Sequence, residues 1–530
     1  MNEFCSTIAR TAAVIATSLL LGSPQKVDAA PVGIHNVLLV HGAFADGSGW
    51  DAVAKLLEKD GYTVSVLQEP ETSYAEDQKY AKAALDAMDG PVVLVGHSYG
   101  GSVITEAGNH PKVTALVYIA AFALDEGESC ASIEQAVPQG SKAFKPDNNG
   151  NWWIEQEHFA ADFAADIPPA VAHFMAIAQV PISTDAFTHK VTNPAWKTKP
   201  TWYMVASQDR SINPIQERMM AKRAHAKTVE VMRAMWRTCR ILRRASSSSK
   251  RLPRPDTPTS RQSILTFVRP TQESTRFLLK SSASQTTFPS ESQLKRRIVV
   301  KPHIKNVLLV HGAFADGSGW EAVAKILKKD GYKVSVAQPP ETSYADDQKY
   351  TKAAIDAMDG PVVLVGHSYG GSIITEAGNH PKVAALVYIA AFALDEGESC
   401  ASIEQAVPQA SKAFKPDSDG NWWIIEEQFA ADFAADVPPE KAWFMAISQV
   451  PISTDAFTHK VRKPAWRTKP TWYMVAAQDR SINPEQERMM AKRARAKTVE
   501  VNASHVAYMS YPAETAKLIE EAATSAQINA

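Results

Sequence analysis

The chain has 530 residues, 45% hydrophobic and 21% charged, which is the balance of an ordinary globular protein and excludes a disordered or fibrous one. Its 56 Lys and Arg nearly cancel its 57 Asp and Glu, so the formal charge of −1 points to no nucleic-acid partner and no membrane surface. The four cysteines, Cys5, Cys130, Cys239 and Cys400, have neither the spacing of a metal site nor the density of a disulfide framework.

In chain order, the first segment reads as a secretory signal. Arg10 supplies positive charge, Thr11–Gly22 is a short apolar run, and Val27 and Ala29 are small residues suited to a cut after Ala29. Residues 1–29 are therefore expected to be a signal peptide, and the product to be secreted or periplasmic. The apolar run is too short to span a bilayer comfortably, and no other segment offers a membrane span.

From Ile34 the chain begins a domain that it later repeats. Asn36, Ser98 and Asp209 recur as Asn306, Ser368 and Asp479 at a constant offset of 270 residues. No gap is needed between Ile34 and Val231, and about 85% of those positions are identical in the second copy. A repeat of this length is a duplicated domain, large enough to bury its own core. The boundaries read as module one over residues 34–231, a connector over 232–302 and module two over 303–530.

The connector is unlike either module. It holds 16 Lys and Arg against 3 Asp and Glu, with many serines and no helical or strand periodicity. Its first part hides the missing end of module one in another reading frame. Ala234–Arg244 (AMWRTCRILRR) can be encoded by bases that, read one position earlier, give SHVAYMSYPAE, the sequence of Ser504–Glu514 in register. Ser247–Arg251 can conceal KLIEE, the sequence of Lys517–Glu521, in the same way. The basic, Ser-rich composition is thus read as a by-product of frameshifted translation and not as a nucleic-acid arm. A segment of this kind is expected to be disordered.

Module two gives the clearest element pattern. Asn306–His311 is a buried strand, Ser318–Asp330 a helix ending at Gly331, and Lys333–Gln338 a second strand. Ala345–Met358 is an amphipathic helix, and Pro361–Gly366 is the strand that enters GHSYG. Further strands are expected at Lys382–Ala391, Pro470–Ala476 and Thr498–Val501, with helices at Pro484–Ala496 and Ala513–Ser525. Alternating strands and helices imply an α/β fold with a mostly parallel sheet flanked by helices. Between Asp395 and Lys469 the pattern loosens into an insertion expected to form a helical cap. Its Trp422, Trp423, Phe429, Phe433, Trp443, Phe444 and Met445 suit a cap core with a few residues left to line an apolar pocket.

The chemistry centres on G-x-S-x-G, present at Gly96–Gly100 and Gly366–Gly370. Between a strand and a helix, this pattern places a serine on a tight turn with its hydroxyl above the sheet. An acyl-transfer serine needs a base, a group that orients the base, and donors for the oxyanion. In module two the nucleophile is Ser368, the base His505 after the last strand, and the acid Asp479 at the start of DRSINP. The bland alternatives for Asp479 are a cap near Asn483 or a salt bridge to Arg480, and Asp455 is the second candidate acid. The oxyanion donors are expected from the backbone of Tyr369 and of Ala313 or Phe314 in HGAF, a turn shaped by His311 and Gly312. His367 is expected to pack and hydrogen-bond, not to act as a second base. Module one keeps Ser98, Asp209, Ala43, Phe44 and Tyr99, but Met235 stands where a second His505 would fall, and the final helix is missing. It is expected to be inactive. No P-loop, dinucleotide fingerprint or metal-ligand cluster is visible, so no cofactor is expected.

HGAFADGSGW, GHSYGG, QDRSINP and NASH, in this order, resemble the α/β-hydrolase family, and within it the small, short-capped bacterial members related to esterases, plant methylesterases and hydroxynitrile lyases. The resemblance covers both modules, except the truncated end of module one. It implies tandem α/β-hydrolase modules, catalytic roles for Ser368, Asp479 and His505, and an oxyanion hole from Tyr369 with Ala313 or Phe314. The expected activity is cofactor-independent cleavage of a small ester or lactone. A lyase on the same scaffold and a non-catalytic binding protein are the alternatives, because fold alone does not choose among them.

Overall fold

The computed structural model describes residues 34–137, 140–147, 149–232 and 303–526. The expected signal peptide and all but the first residue of the connector lie outside the described residues. Module one carries β1 (Asn36–Val40), β2 (Thr63–Leu67), β3 (Val92–Ser98), β4 (Val113–Ala121), β5 (Thr201–Ala206) and β6 (Lys227–Val231), in the spatial order β2-β1-β3-β4-β5-β6. Module two repeats this with β7 (Asn306–Val310), β8 (Lys333–Ala337), β9 (Val362–Ser368), β10 (Val383–Ala391), β11 (Thr471–Ala476) and β12 (Lys497–Val501), in the order β8-β7-β9-β10-β11-β12. Every pairing in both sheets is parallel.

The strand order reverses between β7 and β9. Chain crossovers leave in opposite directions there, which opens a crevice at the carboxyl ends of the two strands. Those ends carry the HGAF turn and Ser368 respectively, so topology alone brings the two motifs together.

Strand alternation explains why the strands read as unbroken apolar runs. In β3, Val92 and Leu94 join the core on one face, while Val93 and Val95 join that on the other. Both faces are covered, so no polar alternation survives.

Element boundaries follow local chemistry. The Asp316 carboxylate accepts from the Ser318 N–H (2.9 Å) and starts a 3-10 turn, Gly317–Trp320, ahead of the helix Glu321–Lys329. The single expected helix is therefore two elements. It stops where Gly331 adopts a φ of +86°, open to glycine at no steric cost. Strand β9 runs through to Ser368 itself, two residues beyond the expected end at Gly366.

The cap is helical, as expected, and also carries a small sheet that the sequence pattern does not show. Helices Cys400–Ala406, Glu426–Asp432 and Pro439–Ile447 are joined by a small antiparallel sheet of Phe414–Pro416, Asn421–Ile424 and Ile452–Ser453. These strands are too short for a period of two to register. The turn between the first two is set by Gly420 at φ +82° and by the Asp417 carboxylate accepting from the Asn421 N–H (2.9 Å).

The last helix, Pro512–Ser525, buries Leu518, Ile519, Ala522 and Ala523 in module two, whose apolar interior is one continuous cluster. In module one, where no such helix follows among the described residues, the two sheet faces form separate clusters. Phe444 and Ile447 of module two join the second of these, with Trp443 packed against it. Trp443 and Phe444 therefore serve the contact between modules and not the interior of their own cap.

That contact is reciprocal. Gln68 donates from Nε2 to the Asp316 carboxylate (2.8 Å) and to the Ser448 carbonyl (3.1 Å). Gln338, the same position one repeat later, donates to the Asp46 carboxylate (3.1 Å) and to the Ala178 carbonyl (3.0 Å). The two modules face each other as the halves of a two-fold dimer do. No helix among the described residues is long and apolar enough to cross a membrane. Cys130 and Cys400 are buried free thiols.

Candidate active site

Ser368 sits at φ +52°, ψ −122°, a strained conformation for a residue with a Cβ. The surrounding glycines make the turn possible. A Cβ on Gly366 would lie 2.6 Å from the Gly370 carbonyl oxygen, and one on Gly370 would lie 2.4 Å from that of His311. Strand, turn and helix meet with no room for a methyl group. Gly312 has the same constraint from the other side, since its Cβ would stand 2.6 Å from that of Ser368. The HGAF turn is thus pressed against the serine.

His505 lies in the loop after β12, and its Nδ1 is 2.6 Å from Asp479 Oδ2. The other Asp479 oxygen accepts from the N–H groups of Ser481 (2.7 Å) and Ile482 (2.9 Å). Both residues are buried. A carboxylate on Nδ1 fixes that nitrogen as the protonated one and leaves Nε2 as the basic atom. The alternatives for Asp479 are accounted for by other contacts. Asn483 caps the next helix with its own side chain, and Arg480 pairs with Asp432 at 2.7 Å. Asp455, the second candidate acid, instead accepts from the Tyr344 N–H (3.1 Å) at the start of the helix Tyr344–Asp356.

His367 supports His505 through the backbone. Its Nε2 is 3.0 Å from the His505 carbonyl oxygen, and the two rings lie 4.7 Å apart. Burial holds its pKa well below the usual imidazole range, so the ring is neutral and donates from Nε2.

On the HGAF turn, Phe314 has φ +65°, and its N–H donates to the Val450 carbonyl of the cap (2.9 Å). That leaves Ala313 as the turn's candidate oxyanion donor. Tyr369 opens the helix Tyr369–Ala377, and its hydroxyl donates to Asp347 Oδ2 (2.5 Å), which anchors the residue whose N–H follows the serine.

Two contributors carry no sequence motif. Asp436, in the cap, accepts from the Ser504 N–H (2.9 Å) and the Ser510 hydroxyl (2.8 Å), bracketing His505. Tyr508 packs between Trp320 and His367, with ring centroids at 4.2 and 4.6 Å.

Module one reproduces half of this. Ser98 has φ +51°, and the Phe44 N–H donates to the Val180 carbonyl (3.1 Å). The Asp209 carboxylate accepts from Ser211 (2.7 Å) and Ile212 (3.0 Å) with one oxygen. Its other oxygen is buried without a partner among the described residues, and burial pushes its pKa up to about 7. Met235 lies outside the described residues. Beneath the Gly42 turn, His41 has Glu69 against Nε2 (3.3 Å) and Glu71 against Nδ1 (3.7 Å). Burial holds the His41 imidazole down to about 4 and pushes both carboxyls well above their usual range, so these contacts are not a charged pair near neutral pH.

A parallel sheet that reverses order at a serine-bearing turn defines an α/β hydrolase. The chain belongs to the alpha/beta hydrolase family, whose model matches residues 37–235 and 307–518. It is similar to a pyrethroid hydrolase of Sphingobium wenxiniae, 26% identical over 41% of this chain and 87% of that one. A carbendazim hydrolyzing esterase of a Nocardioides species is 35% identical over 19% of this chain and 49% of its own. Among solved structures, a pyrethroid hydrolase from Sphingobium faniae is 23% identical, covers 42% of this chain and 98% of its own, and superposes with a TM-score of 0.37.

Proposed function

We propose that module two is a cofactor-independent serine hydrolase that cleaves a small ester or lactone, and that module one does not turn substrate over. The observation that carries this reading is the buried His505–Asp479 pair at 2.6 Å, at the end of the sheet that also presents Ser368 on a strained turn. The named activities of the relatives, hydrolysis of pyrethroids and of carbendazim, support an ester-cleaving chemistry.

In this mechanism Ser368 Oγ attacks the carbonyl carbon while its proton passes to His505 Nε2. Asp479 stabilises the imidazolium that forms. The negative charge that develops on the carbonyl oxygen is met by the backbone N–H groups of Tyr369 and Ala313. His505 then returns the proton to the departing alcohol. Water attacks the acyl-enzyme by the same route, with His505 again taking the proton.

The test is hydrolysis of 4-nitrophenyl acetate by the full chain. Ser368→Ala and His505→Ala are each expected to lower kcat by at least about a thousandfold. A Ser368→Ala protein that keeps most of its activity overturns the mechanism. We also propose that the product is exported after cleavage behind Ala29, which the N-terminal sequence of the mature protein decides.

A further inference from the structure

Module one contains a cavity of about 430 Å³ that the catalytic reading leaves without a role. Its walls include Phe44 of the HGAF turn, Phe144, Trp152 and Phe187 of the cap, and Ile182, with Glu134 among the polar positions. This size suits a drug-sized organic molecule, and the make-up is that of a small-molecule site, mostly aromatic and aliphatic with a few polar groups.

Two facts say what it holds. All eleven lining positions carry the same residue in module two, 270 positions later, although about 15% of the repeat has changed. None of the eleven lies in the C-terminal segment that carries His505 and the last helix. Losing that segment removes the base and leaves every wall of the pocket in place.

We infer that module one is a ligand-binding module that takes up the same small uncharged esters as module two and holds them without cleaving them. The inference rests on the reading of module two as an ester hydrolase for the class of ligand, but not for the existence of the site. Burial pushes Glu134 up to about 8, so that carboxyl is uncharged near neutral pH, and the one basic lining residue, Lys142, is exposed. Among the described residues, no imidazole pairs with the second Asp209 oxygen, and no base takes the place that His505 holds in module two. Binding there ends as it began, with no bond made or broken.

The probe is 1-(4-nitrophenyl)propan-2-one, the ketone isostere of 4-nitrophenyl acetate, titrated calorimetrically into the full-length chain. Two equivalents are expected to bind. Ala131→Trp, which fills the module-one cavity, is expected to leave one, and so is Ala401→Trp in module two. Thr188→Trp closes the same cavity from an exposed rim position and covers the case in which Ala131→Trp fails to fold. Binding of one equivalent that Ala131→Trp and Thr188→Trp do not alter, or of none, overturns the inference. Hydrolysis of 4-nitrophenyl acetate by the same preparation separates the two readings. Two equivalents without turnover would remove the hydrolase and leave the site. Turnover with one equivalent would do the reverse.

Discussion

The imidazole of His367 holds the backbone of His505: Nε2 lies 3.0 Å from the His505 carbonyl oxygen. The residue beside Ser368 therefore sets where His505 stands. Because the His367 ring is neutral and both groups are buried, this bond is not exchanged for one to water.

His367→Phe keeps the ring and removes the donor. The His505 loop should then lose its register on Ser368, and kcat for 4-nitrophenyl acetate should fall roughly ten- to a hundredfold with KM little changed. A variant with wild-type kcat would show that the Asp436 contacts alone suffice to place the loop.

Gly312→Ala tests the closeness of the oxyanion turn. The added methyl would meet the Ser368 Cβ at 2.6 Å and the His367 carbonyl oxygen at the same distance, both on rigid backbone. The turn must move away from the serine, which takes the Ala313 N–H with it. We expect a loss in kcat of about a hundredfold or more, and a Tm that falls by only a few degrees. Unchanged kinetics would place the oxyanion elsewhere.

The contact between modules should respond to pH. Asp46 is buried facing Asp316, and burial first, then that neighbour, push its pKa up to about 7. Its folded-state pKa lies above the unfolded value, so the folded protein holds a proton that the unfolded chain has released. The associated stability is present in acid and is lost as pH rises from about 4 through 7. Asp46→Asn removes this term. Its Tm should fall less than that of the wild type between pH 5 and pH 8, as followed by circular dichroism. Parallel Tm curves would count against a protonated Asp46.

The last helix should be worth more than its length suggests. Leu518 and Ile519 are buried against the sheet, and truncating either to Ala should destabilise module two by about 2–5 kcal/mol. A fragment of residues 34–231 expressed alone has no such helix and should melt lower than a 303–530 fragment. Equal melting temperatures would mean that the helix is dispensable.

Resequencing the DNA across codons 225–303 addresses the connector. A missing base near codon 231 would restore SHVAYMSYPAE to module one and give it a histidine. An unchanged reading, together with connector peptides in a tryptic digest, would establish the frame as translated.

Much of this site was legible in the chain. Strand β9 and the turn after it follow from PVVLVGHSYGG, since only glycine fits at Gly366 and Gly370 and the flanking run is apolar on both faces. His505 and Asp479 follow from their place after strands. What the sequence does not show depends on distant contacts. Asp436 sits in a cap segment with no motif, and it matters only because Ser504 folds back onto it. The Val450 carbonyl takes the Phe314 N–H, a competition that neither sequence announces. Trp443 and Phe444 look like core aromatics, yet they pack against the other module, because burial by a partner leaves the same composition as burial by one's own sheet.

The exchange of Gln68 for Gln338 across the module boundary has a genetic consequence. In a dimer of identical chains every substitution is made twice, so a change that suits one half is imposed on the other. Here the halves are encoded separately, and each can drift while its twin keeps the shared surface intact. Glu69 against Pro339 shows such divergence within two residues of the preserved Gln and Glu. A chain built this way can keep one half unchanged as insurance while the other is free to take on different work.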